Sequence, residues 1–181
     1  MISDIKIGIT GLPGAGKTTA LLSVIDMLKR DDLKIGGMLN EPIMDGRYRV
    51  GFTTKNFMTG DTETFALNTI ESKIMVGKIG VDISKLESVG VSAIKQACEE
   101  CDIIIIDEVG KIEVESELFC QVVKDALDVD KPMILTLHKK SRNPLLQDIR
   151  RRDDVRILEV TPTNRALLPH KIVRLMNGEN I

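Results

Sequence analysis

Short apolar runs bounded by turn residues recur along the chain, and stretches of helical periodicity lie between them. This alternation is typical of an α/β fold in which helices cover both faces of a mainly parallel sheet. The apolar runs predict strands over residues 5–10, 103–107, 133–137 and 155–160. The four isoleucines at 103–106 show no polar alternation. This run therefore indicates a central strand that is buried on both sides.

Helical periodicity predicts five helices, over residues 17–29, 83–99, 115–127, 144–151 and 165–176. The last of them follows Thr163 and Asn164, either of which can serve as its N-terminal cap. It is followed by Asn177-Gly178, a pair typical of a helix end.

Between residues 34 and 69 the pattern changes to β-rich pieces separated by Asp45-Gly46 and Gly60-Asp61. Such pairs favour hairpin turns, because glycine adopts the backbone conformations that tight hairpin loops need. We therefore expect an antiparallel hairpin extension on the parallel sheet.

Length and charge narrow the classes of protein that fit. The chain has 181 residues, of which 43% are hydrophobic and 29% charged, with a net charge of −2. This size favours a single domain spanning residues 1–181, and the near-neutral balance disfavours a nucleic-acid partner. No apolar stretch reaches the roughly 18 residues that span a bilayer, and the first residues lack the basic flank of a signal peptide. We expect a soluble, cytoplasmic protein and favour a monomer.

The cysteines favour neither a metal site nor a disulfide framework. Cys98 and Cys101 form a CxxC, but no second ligand pair follows, and neither histidine lies at the spacing of a zinc finger. With Cys120 the count is odd. Apolar, buried cysteines are the favoured interpretation.

Residues 8–19 read GITGLPGAGKTT and carry the clearest chemistry in the chain. The stretch fits GxxxxGK[ST], after a predicted strand and before a predicted helix, as a phosphate-binding loop requires. Glycines let the loop wrap a phosphate closely with its amides turned inward, and the following helix N-terminus attracts the same anion. The predicted nucleotide-binding residues of this loop are Gly11, Leu12, Pro13, Gly14, Ala15, Gly16, Lys17, Thr18 and Thr19. We call residues 11–18 the phosphate loop.

Two side chains of the phosphate loop have individual roles in this hypothesis. Lys17 is predicted to bridge the β- and γ-phosphate oxygens, and the Thr18 hydroxyl to bind Mg²⁺. Lys17 is therefore also a candidate catalytic residue.

The second chemical stretch, CDIIIIDEVG at 101–110, ends an apolar strand with two carboxylates. Asp107 is predicted to hold Mg²⁺ through water at the carboxyl edge of the sheet. Glu108 is predicted to orient or deprotonate the attacking water, which favours hydrolysis over transfer to a second substrate. Val109 and Gly110 complete the predicted nucleotide-binding set.

Five stretches together resemble a known family. They are GLPGAGKTT near the start, VGKIGVDIS at 76–84, DEVGKIEVESELF at 107–119, PLLQDIRRR at 144–152 and VTPTNRALL at 160–168. Their order and spacing resemble the nucleoside-triphosphatase family that includes thermophilic archaeal and bacterial enzymes and the cancer-related nucleoside triphosphatase.

The resemblance implies a P-loop fold of the RecA/AAA-like type. It also implies Mg²⁺-dependent hydrolysis of ATP, GTP and other nucleoside triphosphates to diphosphate and phosphate, with CTP and UTP as further candidates. It draws in Lys111 and Glu113, which match the family pattern DExGKxE.

The chain departs from the family pattern in two loops. Pro42 and Met44 stand where relatives commonly have an acidic residue and an arginine. The loop LHKKSRN at 137–143, the basic loop, stands where relatives usually have proline.

Several polar residues have two readings each. Thr136 either senses the γ-phosphate or is an ordinary strand threonine. In the basic loop, His138, Lys139, Lys140 and Arg142 either place a cation over the phosphate, with Arg142 as an arginine finger, or form a solvated loop.

Polar residues that follow the predicted strands and helices also have more than one possible role. Asn164 either caps a helix or contacts the base, and Arg165 is a candidate for the same contact. Arg150, Arg151 and Arg152 end a predicted helix, where the helix dipole favours cations without any further function.

Two functions other than hydrolysis stay open. A nucleotide or nucleoside kinase would use IRRR and the basic loop as a lid over a second substrate. A nucleotide-gated binding module would use slow hydrolysis to time its contact with a partner. A GTPase switch is disfavoured because the chain has no NKxD sequence.

Overall fold

The computed structural model describes residues 2–29 and 32–181, and within them nine strands form one mixed sheet. The strands are β1 (Lys6–Gly11), β2 (Ile35–Asp45), β3 (Tyr48–Asn56), β4 (Thr62–Leu67), β5 (Met75–Val76), β6 (Ile79–Val81), β7 (Ile103–Val109), β8 (Met133–His138) and β9 (Val155–Glu159). Their order across the sheet is β5-β6-β4-β3-β2-β7-β8-β1-β9.

One half of the sheet is parallel and the other antiparallel. The pairs β2/β7, β7/β8, β8/β1 and β1/β9 are parallel, and the remaining pairs from β2 to β5 are antiparallel. The expected parallel sheet with an antiparallel hairpin extension is confirmed. The assignment of the whole of residues 34–69 to the antiparallel extension was wrong. Residues 35–39 of β2 pair in parallel with β7 before the strand continues into the hairpin.

The helices are α1 (Lys17–Leu28), α2 (Ile83–Lys85), α3 (Ser92–Glu100), α4 (Glu117–Leu127), α5 (Pro144–Arg151) and α6 (Leu168–Met176), with a π-helical turn at Leu86–Val91 and a 3₁₀ turn at Glu113–Glu115. Helices α1 and α6 share one core with one face of the sheet, and α3, α4 and α5 share another core with the opposite face. Among the described residues, no helix combines the length and apolar character needed to cross a membrane.

Strand β7 supplies both cores in alternation. Ile103 and Ile105 belong to the core beneath α1 and α6, whereas Ile104 and Ile106 belong to the other. All four are fully buried. This is the central strand that the isoleucine run predicts, since successive side chains of a strand point to opposite faces.

The predicted helix over 83–99 is interrupted. Residues 86–91 form a π-helical turn, and it contains Gly90. A Cβ on Gly90 would lie 2.7 Å from Thr54 Oγ1 and 2.9 Å from Met38 Sδ. The helix therefore lies directly on β2 and β3 at this glycine, which helical periodicity alone does not reveal.

Two other helices begin later than predicted. Helix α4 begins at Glu117 because Ser116 caps it, accepting a hydrogen bond from Phe119 N at 3.0 Å. Helix α6 begins at Leu168, so neither Thr163 nor Asn164 is its cap. The other predicted helices, and the four predicted strands, agree with the structure to within one or two residues at each end.

The hairpin turns lie where the sequence predicts them. Gly46 has a φ of 59° in the loop between β2 and β3, and Gly60 a φ of 86° between β3 and β4. The short pair β5/β6 was not predicted, because its strands have only two and three residues.

Candidate active site

The phosphate loop and the two carboxylates meet at the carboxyl edge of the parallel strands. Strand β8 lies between β1 and β7, and it places His138 beside Gly11 on one side and Leu137 beside Val109 on the other. The ends of three neighbouring strands therefore surround one point of the sheet edge, as the parallel arrangement predicts.

The glycines of the phosphate loop are required for different physical reasons. Gly14 has a φ of 78° and Gly16 a φ of 105°, in the region that side chains with a Cβ rarely adopt. Gly11, in contrast, lacks a positive φ. A Cβ there would lie 3.0 Å from the Val160 carbonyl oxygen, so close approach to the segment after β9 is what requires this glycine.

The N-terminus of α1 is open to an anion. It begins at Lys17 after the left-handed Gly16, without a side-chain cap and without an acidic residue in its first turn. Nothing lies within 4 Å of the Cβ position on Gly14 or Gly16. A helix N-terminus without a side-chain cap has free N–H groups and the positive end of the helix dipole, which is the arrangement that binds phosphate.

Asp107 is buried and held by two hydroxyl groups. Thr18 Oγ1 donates a hydrogen bond of 2.8 Å to Asp107 Oδ2, and Thr136 Oγ1 donates one of 2.5 Å to Oδ1. Burial raises the pKa of the Asp107 carboxyl from its ordinary 3.8 to about 6, although both hydroxyl hydrogen bonds lower it. The Thr136 hydroxyl is therefore a hydrogen-bond donor to the Asp107 carboxylate. Its role as a γ-phosphate sensor stays a prediction.

Lys17 and Glu108 form an ion pair across the site. Lys17 Nζ lies 3.1 Å from Glu108 Oε2 and donates a hydrogen bond of 3.1 Å to the Gly11 carbonyl. The Glu108 side chain keeps 29% of its surface exposed, against 2% for the whole of Asp107. The two neighbouring carboxylates therefore occupy different environments, one buried and one open to water.

A buried polar pocket lies behind Glu108, and sequence reasoning found only part of it. It contains Glu113, from the 3₁₀ turn, and Asn40, which follows the residue of β2 that pairs with Asp107. Asn40 was missed because one polar residue in a strand carries no signal of its own. The available signal was its place at the end of the apolar part of β2.

The basic loop is partly occupied by internal contacts. Lys139 pairs with Glu159, and the His138 Nδ1 accepts a hydrogen bond from Ser141 N at 3.1 Å. Burial lowers the pKa of His138. Arg142 is exposed, and its role as an arginine finger stays a prediction.

Arg150 has a structural task that the helix-dipole interpretation missed. Its guanidinium donates hydrogen bonds of 2.7 Å to the Ser141 carbonyl and 2.6 Å to the His138 carbonyl. It thereby holds the basic loop to the end of α5.

The remaining predicted residues differ in exposure. Asn164 accepts a hydrogen bond from Thr161 N at 2.8 Å and donates one to the Glu159 carbonyl at 2.7 Å, so its side chain ties the turn to β9. Val109 belongs to the core beneath α3, α4 and α5. The exposed predicted residues are Leu12, Pro13, Gly14, Thr19, Lys111 and Arg165.

Comparisons with known proteins identify a family. Residues 6–173 match the sequence profile of a family described as NTPase. The chain is 37% identical over 175 residues to the nucleoside-triphosphatase THEP1 of Thermoplasma acidophilum, covering 97% of each chain. It is 40% identical over 168 residues to the nucleoside-triphosphatase THEP1 of Methanocaldococcus jannaschii, covering 93% of this chain and 95% of the relative.

Two solved structures are also similar. The crystal structure of THEP1 from the hyperthermophile Aquifex aeolicus aligns with a TM-score of 0.85 and 30% identity, over 95% of this chain and 99% of that one. The solution structure of a human cancer-related nucleoside triphosphatase aligns with a TM-score of 0.78 and 28% identity, over 97% of this chain and 100% of that one. The fold is that of P-loop NTPases.

Proposed function

This chain belongs to the NTPase family, and on that premise we propose that it is a nucleoside-triphosphate phosphohydrolase. The substrates proposed are ATP, GTP and other nucleoside triphosphates, cleaved to the diphosphate and phosphate. We also propose that residues 1–181 form a single domain, which the one continuous sheet supports.

The observation that carries the proposal is the distance of 3.1 Å between Lys17 Nζ and Glu108 Oε2. A lysine at this loop position binds the phosphate oxygens of a nucleotide. A carboxylate that reaches the same ammonium lies within about one water molecule of the terminal phosphate, where a general base has to be. Proximity to the phosphate loop thus supports hydrolysis.

Each residue of the site has a proposed task. The amides of the phosphate loop and of the first turn of α1 bind the phosphates, and Lys17 neutralises their charge. Glu108, which stays partly exposed, orients the attacking water and accepts its proton. Asp107 and Thr18 provide oxygen ligands beside the phosphates.

These oxygen ligands fit Mg²⁺. A carboxylate and a hydroxyl are hard donors, and Mg²⁺ is usually held by one or two carboxylates together with water and substrate phosphates. Among the described residues, no cluster of three or more His, Cys, Asp or Glu side chains forms an all-protein metal cage. When bound, the ion would neutralise negative charge on the phosphates. Asp107 and Thr18 would hold it.

Phosphate release from purified protein tests the proposal. Glu108→Gln should lose on the order of 10²–10⁴ in kcat, since an amide cannot accept the proton. Glu115→Gln is the matched control, because Glu115 is an exposed carboxylate on the turn that follows. Full turnover by Glu108→Gln would remove Glu108 from the mechanism.

The same assay, run with labelled ATP and a panel of nucleosides and monophosphates, separates hydrolysis from transfer. We expect the label in free phosphate only. Label in a phosphorylated acceptor would make the protein a kinase.

A further inference from the structure

The buried pocket behind Glu108 contains polar groups that the proposed mechanism does not use. Asn40 is 7% exposed and Glu113 5% exposed. Among the residues that the structure describes, neither the nitrogen nor the oxygen of the Asn40 amide has a hydrogen-bond partner. Buried polar atoms without partners are uncommon in folded proteins, and each calls for an explanation.

Gly110 brings Glu108 and Glu113 together. A Cβ on Gly110 would lie 2.7 Å from Glu108 Oε1 and 2.8 Å from Glu113 Oε1. The two carboxyl oxygens therefore border the space that any other residue at position 110 would fill. Close packing against these two carboxyl oxygens therefore requires a glycine at position 110, independently of its backbone conformation.

The Glu113 carboxyl is suited to donate a hydrogen bond. Burial raises the pKa of Glu113 well above its usual range, and the charges of Glu108 and Asp107 raise it further. The Asn40 amide approaches it closely enough to lower its pKa slightly, although neither amide atom completes a hydrogen bond. A buried carboxyl that keeps its proton has one O–H donor, and the acceptor beside it is Glu108.

Because its ion pair with Lys17 involves only Oε2, Glu108 needs a second hydrogen-bond partner to fix its orientation. Lys17 contacts Glu108 Oε2, whereas Oε1 faces Gly110 and Glu113. A nucleotide in the phosphate loop draws Lys17 to its phosphates, which leaves Oε2 without a partner. The partly exposed Glu108 side chain is then held only from its Oε1 side.

We propose that Glu113, supported by Asn40, is a positioning residue that donates a hydrogen bond to Glu108 Oε1 and keeps Oε2 directed at the attacking water. This inference rests on the proposed function, because it assigns a support to the proposed general base. It extends that function by assigning Asn40, Gly110 and Glu113 to the support of the general base.

Three variants test the inference. Glu113→Met keeps the unbranched length but removes the donor, and should lower kcat for ATP roughly 10–100-fold with KM unchanged, because a misaimed base slows the chemical step. Glu113→Gln keeps a donor and should recover activity to within about threefold of the natural protein. Glu115→Met, in the same turn but exposed, should behave as the natural protein does.

A double variant separates positioning from a general effect on the fold. If Glu113 acts through Glu108, adding Glu113→Met to Glu108→Gln should slow turnover no further, since the base is already lost. A further tenfold loss in the double variant would overturn the inference, as would normal kcat in Glu113→Met. If Glu113→Met does not fold, Gly110→Ala replaces it, with the same expected fall in kcat and the same double-variant comparison.

The outcomes also distinguish the inference from the proposed function. Full activity in Glu108→Gln would contradict the role of Glu108 itself. Loss of activity in Glu108→Gln together with normal kcat in Glu113→Met would contradict the inference alone.

Discussion

Lys17 Nζ and Glu108 Oε2 lie 3.1 Å apart, so the lysine of the phosphate loop is paired with the proposed general base. This ion pair must break before the reaction, because Lys17 has to bind the phosphate oxygens and Glu108 has to hydrogen-bond the attacking water. Nucleotide binding therefore competes with an ion pair inside the site.

Removing this competition should tighten nucleotide binding. In Glu108→Gln the Lys17 ammonium no longer has a carboxylate partner, and a partly exposed ion pair contributes up to about 1 kcal/mol, which corresponds to roughly fivefold in affinity. Calorimetric titration with a non-hydrolysable ATP analogue measures the change. Glu115→Gln serves as the control. Weaker binding by Glu108→Gln would show that the ion pair does not oppose the nucleotide.

The Thr136 hydroxyl should set the pH range of metal binding. It lowers the pKa of Asp107, so Thr136→Val should raise that pKa above about 6 and shift the acidic limb of Mg²⁺-dependent turnover to higher pH. Thr54→Val is the matched control, because the buried Thr54 hydroxyl has no hydrogen-bond partner in the described part of the chain. Superimposable pH profiles for Thr136→Val and the natural protein would contradict the assignment.

Asp107 should make the nucleotide-free protein less stable as the pH rises. Its pKa is 3.8 ordinarily and about 6 in the folded chain, so its contribution is complete below pH 3.8 and is lost as the pH rises through about 6. Asp107→Asn lacks this loss. Its unfolding free energy, relative to the natural protein, should therefore rise by up to about 3 kcal/mol between pH 4 and 7.

Urea unfolding without nucleotide or metal, at several pH values, measures this difference. Titrating groups distant from Asp107 change both proteins alike, whereas the pKa of Glu113, which the charge of Asp107 raises, falls in Asp107→Asn. The pH dependence of the difference therefore reports on Asp107 together with its coupling to Glu113. A constant difference across this range would mean that Asp107 has an ordinary pKa.

Gly16→Ala should separate backbone strain from nucleotide binding. A Cβ at Gly16 meets nothing within 4 Å, so the expected cost of about 1–2 kcal/mol comes from its φ of 105° alone. Gly178→Ala has the same kind of strain, at a φ of 82° and beyond the end of α6. The free energy of unfolding should fall in both variants, but only Gly16→Ala should lose nucleotide affinity by an order of magnitude or more. Equal affinities would contradict a role for the loop backbone.

Much of the fold is encoded locally. The isoleucine run predicts a strand buried on both faces, and the structure places its alternate side chains in two different cores. Glycine pairs predict the hairpin turns at Gly46 and Gly60. These features follow from the sequence because periodicity and φ preference depend on a few adjacent residues.

Other features depend on neighbours distant in the chain. The parallel start of β2 was missed because its partner, β7, lies more than sixty residues away. Gly90, within the π-helical turn, packs closely on Thr54 and Met38, and Asn164, before α6, is hydrogen-bonded to the end of β9. None of these contacts leaves a periodic signal.

The sequence by itself determined that the chain has a phosphate loop with Lys17 and Thr18 after one strand, and the Asp107-Glu108 pair at the end of another, because those residues form contiguous motifs. The tertiary structure alone decided which of them are buried, which are paired and what supports them. Glu113 approaches Glu108, and Asn40 approaches Glu113, only when β2, the end of β7 and the 3₁₀ turn pack together. Burial and hydrogen bonding are properties of that packing, and they set the pKa values and positions on which the chemistry depends.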